Sequence, residues 1–237
     1  MSIFRINFLN SGAKLRQMLP AQPCLLCGAA SRAGPWCQAC DADLSRLPAA
    51  HCPVCALPTF NGGVCGRCLK RAPQFDRTVA VFAYAFPLDK LVQALKFGEQ
   101  LLLSEALADR LAQCIVHRPD RIVPMPLHAA RLKERGFNQS LELARRIAHK
   151  LDVPLLPNAC ERVRDTPPQS ALKWKERDRN VRRAFVCTQD FAGKHVALVD
   201  DVMTSGASLN ELAQAVRRVG AKEISCWVVA RTLPHQG

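Results

Sequence analysis

Aromatic residues are scarce in this 237-residue chain, at 6% of the sequence with three tryptophans and one tyrosine. A surface that stacks several nucleic-acid bases on aromatic rings would therefore have few rings to use. Acidic residues are also in the minority, with 20 acids against 33 lysines and arginines and a formal net charge of +13. This imbalance indicates phosphate-rich or otherwise anionic partners, but it does not choose among nucleic acid, nucleotide and membrane surface.

Long apolar runs are missing as well. No stretch approaches the roughly 20 apolar residues of a membrane span, and the chain does not open with the pattern of a secretory signal. We therefore predict a cytoplasmic protein in a reducing compartment. The first twenty residues hold Arg5, Lys14 and Arg16 and no acid, which fits either a transit peptide or a docking arm. We favour the docking arm, which would span residues 1–23.

Cysteine is abundant, with 12 residues, and most of it lies in the first third of the chain. The spacing Cys-x2-Cys-x9-Cys-x2-Cys occurs twice, the second time shifted by 28 residues. Each Cys-x2-Cys pair supplies two thiolates at the separation that tetrahedral Zn²⁺ needs, so four pairs complete two closed sites. Closed sites leave no position for a substrate, and we assign both zinc ions to structure. The predicted ligands are Cys24, Cys27, Cys37, Cys40, Cys52, Cys55, Cys65 and Cys68.

The pairing of these cysteines stays open at this stage. Sequential sites follow the repeat, whereas a cross-braced arrangement also fits the spacings, and we lean towards the sequential one. His51, next to Cys52, is expected to be a bystander rather than a ligand. A thioredoxin-like redox pair would explain one Cys-x2-Cys and leave three idle. The other four cysteines are expected to be small buried apolar residues: Cys114, Cys160, Cys187 and Cys226.

The composition changes near Pro73. The cysteine-rich segment before it is interrupted by glycine and proline and has little apolar core, so it needs metal to fold. Alternating strand and helix patterns follow. They predict an α/β fold with a parallel sheet and right-handed crossovers. The predicted domains are the arm at 1–23, a double zinc-binding module at 24–72 and the α/β domain at 73–237. Strands are expected at 79–84, 121–124, 196–199 and 224–230, and helices at 88–95, 101–111, 141–151 and 209–219.

The most specific motif follows the apolar run Val196–Val199. Asp200 and Asp201 come next, and a turn rich in hydroxyls leads into a helix. A phosphate binds readily where a helix begins at the carboxyl end of a parallel strand. The adjacent carboxylates can accept hydrogen bonds from two ribose hydroxyls. We therefore predict a sugar-phosphate site, against the alternative of acids that only cap the helix. The predicted 5-phosphate loop is Thr204, Ser205, Gly206, Ala207 and Ser208.

This stretch resembles the signature of type I phosphoribosyltransferases, whose substrate is 5-phosphoribosyl 1-diphosphate with Mg²⁺. Further motifs resemble the ComF family (GntX-like, competence protein F), which joins a cysteine-rich segment to a phosphoribosyltransferase-like domain. The resemblance spans residues 24 to 232. Its motifs are Val123-Pro-Met-Pro-Leu127, Arg131, Arg135-Gly-Phe-Asn-Gln139, Leu95-Lys96-Phe97-Gly98, Arg164, Thr166, Gln169, Leu172, Arg177, Asn180-Val181 and Ala184-Phe185.

The resemblance implies roles for individual residues. Arg131 and Arg135 would meet the pyrophosphate, although a solvated basic helix start is the alternative. Residues 161–183 hold eight lysines and arginines against four acids. They are expected to form a flap that closes over a diphosphate or touches a phosphate backbone, or else an ordinary charged loop. The flap residues singled out are Arg164, Gln169 and Arg177.

Function is predicted from the same resemblance: DNA uptake in natural transformation, or DNA utilisation. The expected partners are single-stranded DNA and proteins of the DNA-uptake machinery. The rings that could stack on the DNA bases are Phe137, Trp174 and Trp36. For Phe137 we prefer the alternative that the ring packs inside the protein. Hypoxanthine-guanine transferases carry an acid where this chain has Thr204. The sequence therefore supports the binding of phosphoribosyl diphosphate better than its turnover. The alternatives are a nucleobase-salvage transferase and a non-enzymatic zinc adaptor.

Overall fold

The computed structural model describes residues 21–32, 34–97, 101–165 and 181–234, so residues 1–20 of the predicted arm lie outside it. The chain divides into two compact units between Leu44 and Ser45. The smaller unit contains β1 (Gln22–Pro23), β2 (Ala30–Ser31) and α1 (Gln38–Asp43). The larger unit contains α2 (Gly66–Lys70), β3 (Arg77–Ala83), α3 (Leu88–Phe97), α4 (Leu101–Gln113), β4 (Arg121–Pro124), α5 (Ala129–Arg135), α6 (Gln139–Leu151), β5 (Cys160–Arg162), β6 (Phe185–Cys187), β7 (His195–Met203), α7 (Ala207–Arg218) and β8 (Glu223–Arg231).

The smaller unit is built around an antiparallel pair, β1 with β2. Trp36 is buried within it, and its indole N–H donates to Asp41 Oδ1 at 2.9 Å. The Trp36 ring therefore packs inside this unit, and its prediction as a ring that stacks on nucleic-acid bases was wrong. Ser31 Oγ, also buried, donates to the Trp36 carbonyl at 2.9 Å.

The larger unit is an α/β fold whose main sheet has the order β3-β8-β7-β4. All three pairings are parallel, which confirms the predicted sheet. The central strands β7 and β8 consist mostly of buried apolar residues, as is typical of strands inside a parallel sheet. Parallel strands place their carboxyl ends at one edge, and the ends of β4 and β7 carry the predicted site residues there.

Element boundaries differ from the sequence prediction in informative ways. Strand β7 runs to Met203, so both acids lie within the strand rather than after it. Helix α5 and the small antiparallel sheet of β5 and β6 had no predicted counterpart, since their apolar patterns are too short to detect. Gly220 follows α7 with a φ of +93°, and a Cβ there would lie 2.9 Å from Ala192 Cα. This position accepts only glycine.

The second cysteine repeat belongs to the larger unit. Thr78 of β3 donates from its backbone N–H to the Pro53 carbonyl at 3.0 Å, and from its hydroxyl to the Val54 carbonyl at 2.6 Å. Val54 also packs against the sheet core. The predicted domain boundaries at 23/24 and 72/73 stay predictions, and they differ from the division into compact units. None of the helices in the described ranges has the length and apolar character that crossing a membrane requires.

Candidate functional site

Eight cysteines form two clusters of four, and each cluster consists of one copy of the repeat. Within each cluster the four Sγ atoms all lie within 4.8 Å of one another. The Cys27 and Cys37 Sγ atoms are 3.8 Å apart, and those of Cys55 and Cys65 are 3.6 Å apart. Tetrahedral zinc with Zn–S bonds of about 2.3 Å separates its sulfur ligands by about 3.8 Å. Both clusters therefore fit structural Zn²⁺, and the sequential grouping is the correct one.

In each cluster, backbone amides donate hydrogen bonds to one cysteine sulfur. The Cys37 N–H donates to Cys24 Sγ at 3.3 Å, and the Cys65 N–H donates to Cys52 Sγ at the same distance. Burial alone would raise the pKa of both thiols, but these amides and others in the turns outweigh it. They lower the pKa of Cys24 to about 6 and that of Cys52 to about 7. The amides thus favour the thiolate form of both sulfurs, which is the form that binds zinc.

The neighbouring candidates fall outside the clusters. His51 Nδ1 hydrogen-bonds the Pro48 carbonyl at 2.7 Å, which agrees with its expected role as a bystander. Of the four remaining cysteines, Cys160 and Cys226 are buried as predicted, whereas Cys187 is half-buried and Cys114 is exposed. The prediction of a buried thiol at position 114 was wrong, because the end of α4 turns this residue towards solvent.

The predicted ribose-binding acids lie at the carboxyl end of β7, among polar side chains from two helices. Lys96 of α3 places Nζ 2.9 Å from Asp201 Oδ2. Ser140, fully buried in the first turn of α6, donates from Oγ to Asp200 Oδ1 at 2.9 Å. Sequence reasoning did not assign Lys96 or Ser140 to the site, although both lie in segments that carry the ComF resemblance or adjoin it.

The two acids are electrostatically unequal. Burial raises the pKa of Asp200 to about 8, and the neighbouring charge of Asp201 adds to the rise. Burial also acts to raise the pKa of Asp201, but the Lys96 ammonium outweighs it and the pKa falls below its ordinary value. The pKa of Lys96 rises in turn, since the Asp201 carboxylate outweighs the effect of burial. The pair thus holds one firmly ionised carboxylate and one that a cation or hydroxyl donor can ionise.

The predicted phosphate loop connects β7 to α7. Gly206 is the N-cap of α7 and has a φ of +84°. A Cβ there would meet only Met203 at ordinary contact distance, so glycine is required for the left-handed backbone rather than for space. The Ala207 N–H donates to the buried Ser205 Oγ at 3.2 Å. Thr204 and Ser208 are half-exposed, and the first turn of the helix provides the further N–H donors.

Two arginines donate hydrogen bonds to the backbone carbonyls of this loop. Arg231, at the end of β8 and 1% exposed, donates to the Met203 carbonyl at 2.8 Å and also to the Thr204 carbonyl. Its Nε donates to the Cys55 carbonyl at 2.7 Å, and burial lowers its pKa to about 10. Arg67 of α2 donates to the Ser205 carbonyl at 2.8 Å. The second zinc ribbon is therefore tied to the phosphate loop through backbone carbonyls.

The predicted pyrophosphate side lies on α5 and the loop before it. Arg131 Nε is 3.9 Å from Asp165 Oδ1, and Arg135 donates to Gln139 Oε1 at 3.5 Å. Asn138 caps α6 with its side-chain oxygen and anchors the loop after β4 by donating to the Met125 carbonyl at 3.0 Å. Both arginines are half-exposed.

Arg162 of β5 is a further cation that the sequence did not single out. Burial lowers its pKa, and the Arg131 charge lowers it further while the Asp200 charge opposes the fall. Arg162 therefore lies within electrostatic range of both predicted halves of the site. Among the flap residues, Arg164 is exposed and donates to the Arg182 carbonyl at 2.5 Å. Gln169, Arg177 and the candidate ring Trp174 lie outside the described residues.

Comparison with known proteins defines the class of this chain. Residues 15–69 match the double zinc ribbon domain, and residues 138–235 match the phosphoribosyl transferase domain. The protein is thus a double zinc ribbon joined to a phosphoribosyltransferase-type fold.

Relatives at higher similarity define the family. The chain is 35% identical to Competence protein F of Haemophilus influenzae, over 82% of this chain and 90% of that protein. It is 36% identical to the DNA utilization protein YhgH of Escherichia coli K12, over 89% and 97% of the two chains. Identity to Competence protein ComFC of Bacillus subtilis is 25%, over 83% and 84%. The chain belongs to the ComF family.

Proposed function

We propose that this chain serves the uptake or utilisation of DNA by binding phosphoribosyl diphosphate with Mg²⁺ and, in a basic cleft that adjoins the phosphate loop, single-stranded DNA. The relatives named for competence and for DNA utilization support the biological role. The phosphoribosyl transferase domain supports the small ligand.

The observation that carries the small-ligand proposal is the pair of strand-end carboxylates beside a left-handed glycine that starts a helix. Asp200 and Asp201 would accept hydrogen bonds from the ribose hydroxyls and contribute to holding Mg²⁺. The amides and hydroxyls from Thr204 to Ser208 would bind the 5-phosphate. Bound Mg²⁺ would neutralise charge on the diphosphate. Arg131 and Arg135 would donate hydrogen bonds to the pyrophosphate oxygens. Arg162 adds positive charge nearby.

Asp200→Asn tests this assignment with little disturbance of the fold. Asparagine keeps the oxygen that accepts from Ser140 and from the Asp201 amide, but it cannot take up the negative charge that Asp200 would gain when a cation binds. Asp201→Asn is less suitable, because it leaves the Lys96 ammonium without its partner. Losing a hydrogen bond to a charged group should weaken the binding of phosphoribosyl diphosphate and Mg²⁺ by about 10–100-fold. Calorimetric titration measures this loss.

The matched control is Asp43→Asn, which makes the same chemical change at an exposed position on α1. Its affinity should remain within about twofold of wild type, because an exposed charge is screened by salt. Equal affinities for wild type and Asp200→Asn would show that this carboxylate does not hold the ligand.

Turnover is a separate question from binding. A salvage transferase would release pyrophosphate with some free base, and Thr204 stands where hypoxanthine-guanine transferases carry the acid that handles the base proton. Binding without pyrophosphate release across a panel of bases supports the DNA-handling role, whereas release with one base supports the salvage alternative.

The single-stranded DNA proposal is supported by a basic cleft in the larger unit. The cleft has a volume of about 640 Å³ and lies between the second zinc ribbon and the start of α7. Its lining includes five arginines and one glutamate. A phosphate backbone would find its counter-charges here. These lining residues are Arg67, Arg71, Arg182, Arg183, Arg218 and Glu211.

An exposed ring lies on the same zinc ribbon. Phe60 is fully exposed, in contrast to the buried Trp36 and the half-buried Phe137. Isolated exposed rings of this kind stack on nucleic-acid bases in proteins that bind single strands. Phe60 was not among the rings predicted from sequence, because its exposure follows from the ribbon fold rather than from any local pattern.

Replacing Arg71 and Arg218 with glutamine should weaken the binding of an oligothymidylate and reduce its salt dependence. Each lost phosphate contact lowers the slope of log affinity against log salt by about 0.7 for single strands. The double variant should therefore lose about 1.4 from this slope, measured by fluorescence anisotropy over a salt series.

The control replaces Lys194 and Lys222 with glutamine. Both are exposed and lie near the amino ends of β7 and β8, at the opposite edge of the sheet from the site. This variant removes the same charge, so its slope should match that of the wild type. If the two double variants lower the slope equally, net charge rather than the cleft accounts for binding.

A further inference from the structure

Two cysteines outside the zinc clusters face each other across the small sheet. Cys160 of β5 and Cys187 of β6 are direct partners in the antiparallel register, followed by Glu161 with Val186 and Arg162 with Phe185. The two cysteines are 27 positions apart in the sequence and have no metal-ligand spacing. Only the pairing of the strands brings them together.

The backbone hydrogen bonds define what kind of pair this is. The Thr188 N–H donates to the Ala159 carbonyl at 3.1 Å, and the Val163 N–H donates to the Ala184 carbonyl at 2.9 Å. Bonds between the residues that flank a facing pair identify it as a non-hydrogen-bonded pair. Such pairs have Cα atoms about 4.5 Å apart and the closest side chains in an antiparallel ladder. This separation lies inside the range of about 4.4–6.8 Å that a disulfide spans.

The two thiols differ in access and acidity. Cys187 is half-buried, whereas Cys160 is 4% exposed. The hydrogen bond with Cys160 lowers the pKa of Cys187 to about 7, although burial opposes the fall. The same hydrogen bond, together with burial, raises the pKa of Cys160. An accessible, acidic thiol beside a buried partner is the arrangement of a cysteine that reacts first and a cysteine that resolves the product.

We propose that Cys160 and Cys187 form a reversible disulfide by exchange with a small-molecule disulfide such as oxidised glutathione. The Cys187 thiolate attacks one sulfur of the small disulfide, which forms a mixed disulfide and releases one thiolate. Cys160 then gives up its proton and attacks Cys187 Sγ, which releases the second thiolate. The protein loses two hydrogen atoms, and the small disulfide is reduced to two thiols.

This disulfide connects redox state to a strand beside the candidate site. Arg162 follows Cys160 by two positions, so both side chains lie on the same face of β5. Its guanidinium lies over the Phe185 ring at 5.7 Å, and its pKa responds to Arg131 and Asp200. The disulfide would covalently fix β5 to β6 directly next to this arginine. The proposal stands on the geometry of the sheet and does not depend on the ligand.

Peptide mapping by mass spectrometry tests the proposal on the full-length, zinc-loaded protein after exposure to oxidised glutathione. In wild type we expect a cross-linked peptide joining Cys160 to Cys187, which is reversed by reduced glutathione. Cys160→Ser should trap glutathione on Cys187, since the resolving thiol is gone. Cys187→Ser should leave Cys160 unmodified, because it is buried. Zinc content, measured in parallel, should not change.

Cys114 provides the internal control. It is exposed and has no facing cysteine in the described residues, so it should carry glutathione in all three proteins and confirm that the reagent was active. A glutathione adduct that stays on Cys187 of the wild type would overturn the proposal. Modification of Cys114 with Cys187 left free would overturn it as well.

Discussion

Replacing Cys52 and Cys55 with serine should unfold the larger unit, whereas the matching replacement of Cys24 and Cys27 should leave it folded. The two pairs occupy the same position in the repeat, so the chemical change is identical. Only the second cluster is built into the larger unit, through Thr78 and Arg231. A structural zinc site contributes about 10–16 kcal/mol of apparent binding free energy, which is comparable to or above the about 5–15 kcal/mol that keeps a domain folded.

Hydrogen exchange measured by mass spectrometry resolves the two outcomes by segment. Peptides from β7 and β8 should lose protection against exchange in the double variant Cys52→Ser/Cys55→Ser. The same peptides should stay protected in the double variant Cys24→Ser/Cys27→Ser. Zinc analysis of the Cys24→Ser/Cys27→Ser variant should find one zinc ion per chain. Equal protection of the sheet in both variants would mean that the second ribbon is not part of the larger unit's stability.

Arg231→Met should be the most destabilising single substitution of an arginine in the sheet. The guanidinium donates to the carbonyls of Cys55, Met203 and Thr232 at 2.7, 2.8 and 2.9 Å, and also to that of Thr204. Methionine fills much of the volume but removes the arginine donor from the carbonyls of Cys55, Thr204 and Thr232, whereas the Met203 carbonyl keeps the Thr232 N–H at 3.0 Å. Each buried acceptor left without a donor costs about 1–3 kcal/mol, so we expect the free energy of unfolding to fall by about 3 kcal/mol or more.

Urea unfolding measures this change in the free energy of unfolding. Arg218→Met is the control, because this arginine on α7 is exposed and its side chain donates to Gln214 Oε1 at 3.1 Å. Its substitution should stay within about 0.5 kcal/mol of wild type. Protection of residues 203–208 against hydrogen exchange should fall in Arg231→Met and not in the control. Similar unfolding midpoints for the two variants would rule out a tethering role for Arg231.

The α/β architecture was predictable because its signals are local. The continuous apolar run of β7 is typical of a strand buried on both faces, and the stripe ending at Gly220 is typical of an amphipathic helix. Helix α5 and the strands β5 and β6 were missed because their seven, three and three residues show neither a helical nor a strand period. The equally short β4 was found because a proline-rich loop marks its end. Elements of this length form through tertiary contacts rather than through propensity or periodicity.

The candidate site was predictable only where its residues follow one another. Asp200 to Ser208 form a contiguous motif whose chemistry is visible in the sequence. Lys96 and Ser140 come from other elements, 105 and 60 positions from the acids they contact. An arginine at the end of a strand, such as Arg231, has no local feature that reveals four carbonyl partners.

The internal repeat was a reliable guide to zinc ligands but not to the role of each ribbon. Both copies have the same spacing, and the structure groups each into one cluster. What distinguishes the second copy is its surroundings, since Arg67 and Arg231 join it to the phosphate loop. Such contacts depend on residues up to 176 positions away, so two identical motifs can have different structural consequences.

The most direct test of the proposed function is a titration of the wild-type chain with phosphoribosyl diphosphate, with and without Mg²⁺. We expect one saturable site per chain, weaker binding without Mg²⁺, and competition by ribose 5-phosphate for the loop that begins α7. Single-stranded DNA should bind less tightly in the presence of the ligand, because Ser205, Gly206 and Ala207 of the phosphate loop also line the basic cleft. The absence of saturable binding with Mg²⁺ would contradict the account and favour a zinc adaptor in which the phosphate loop is only structural.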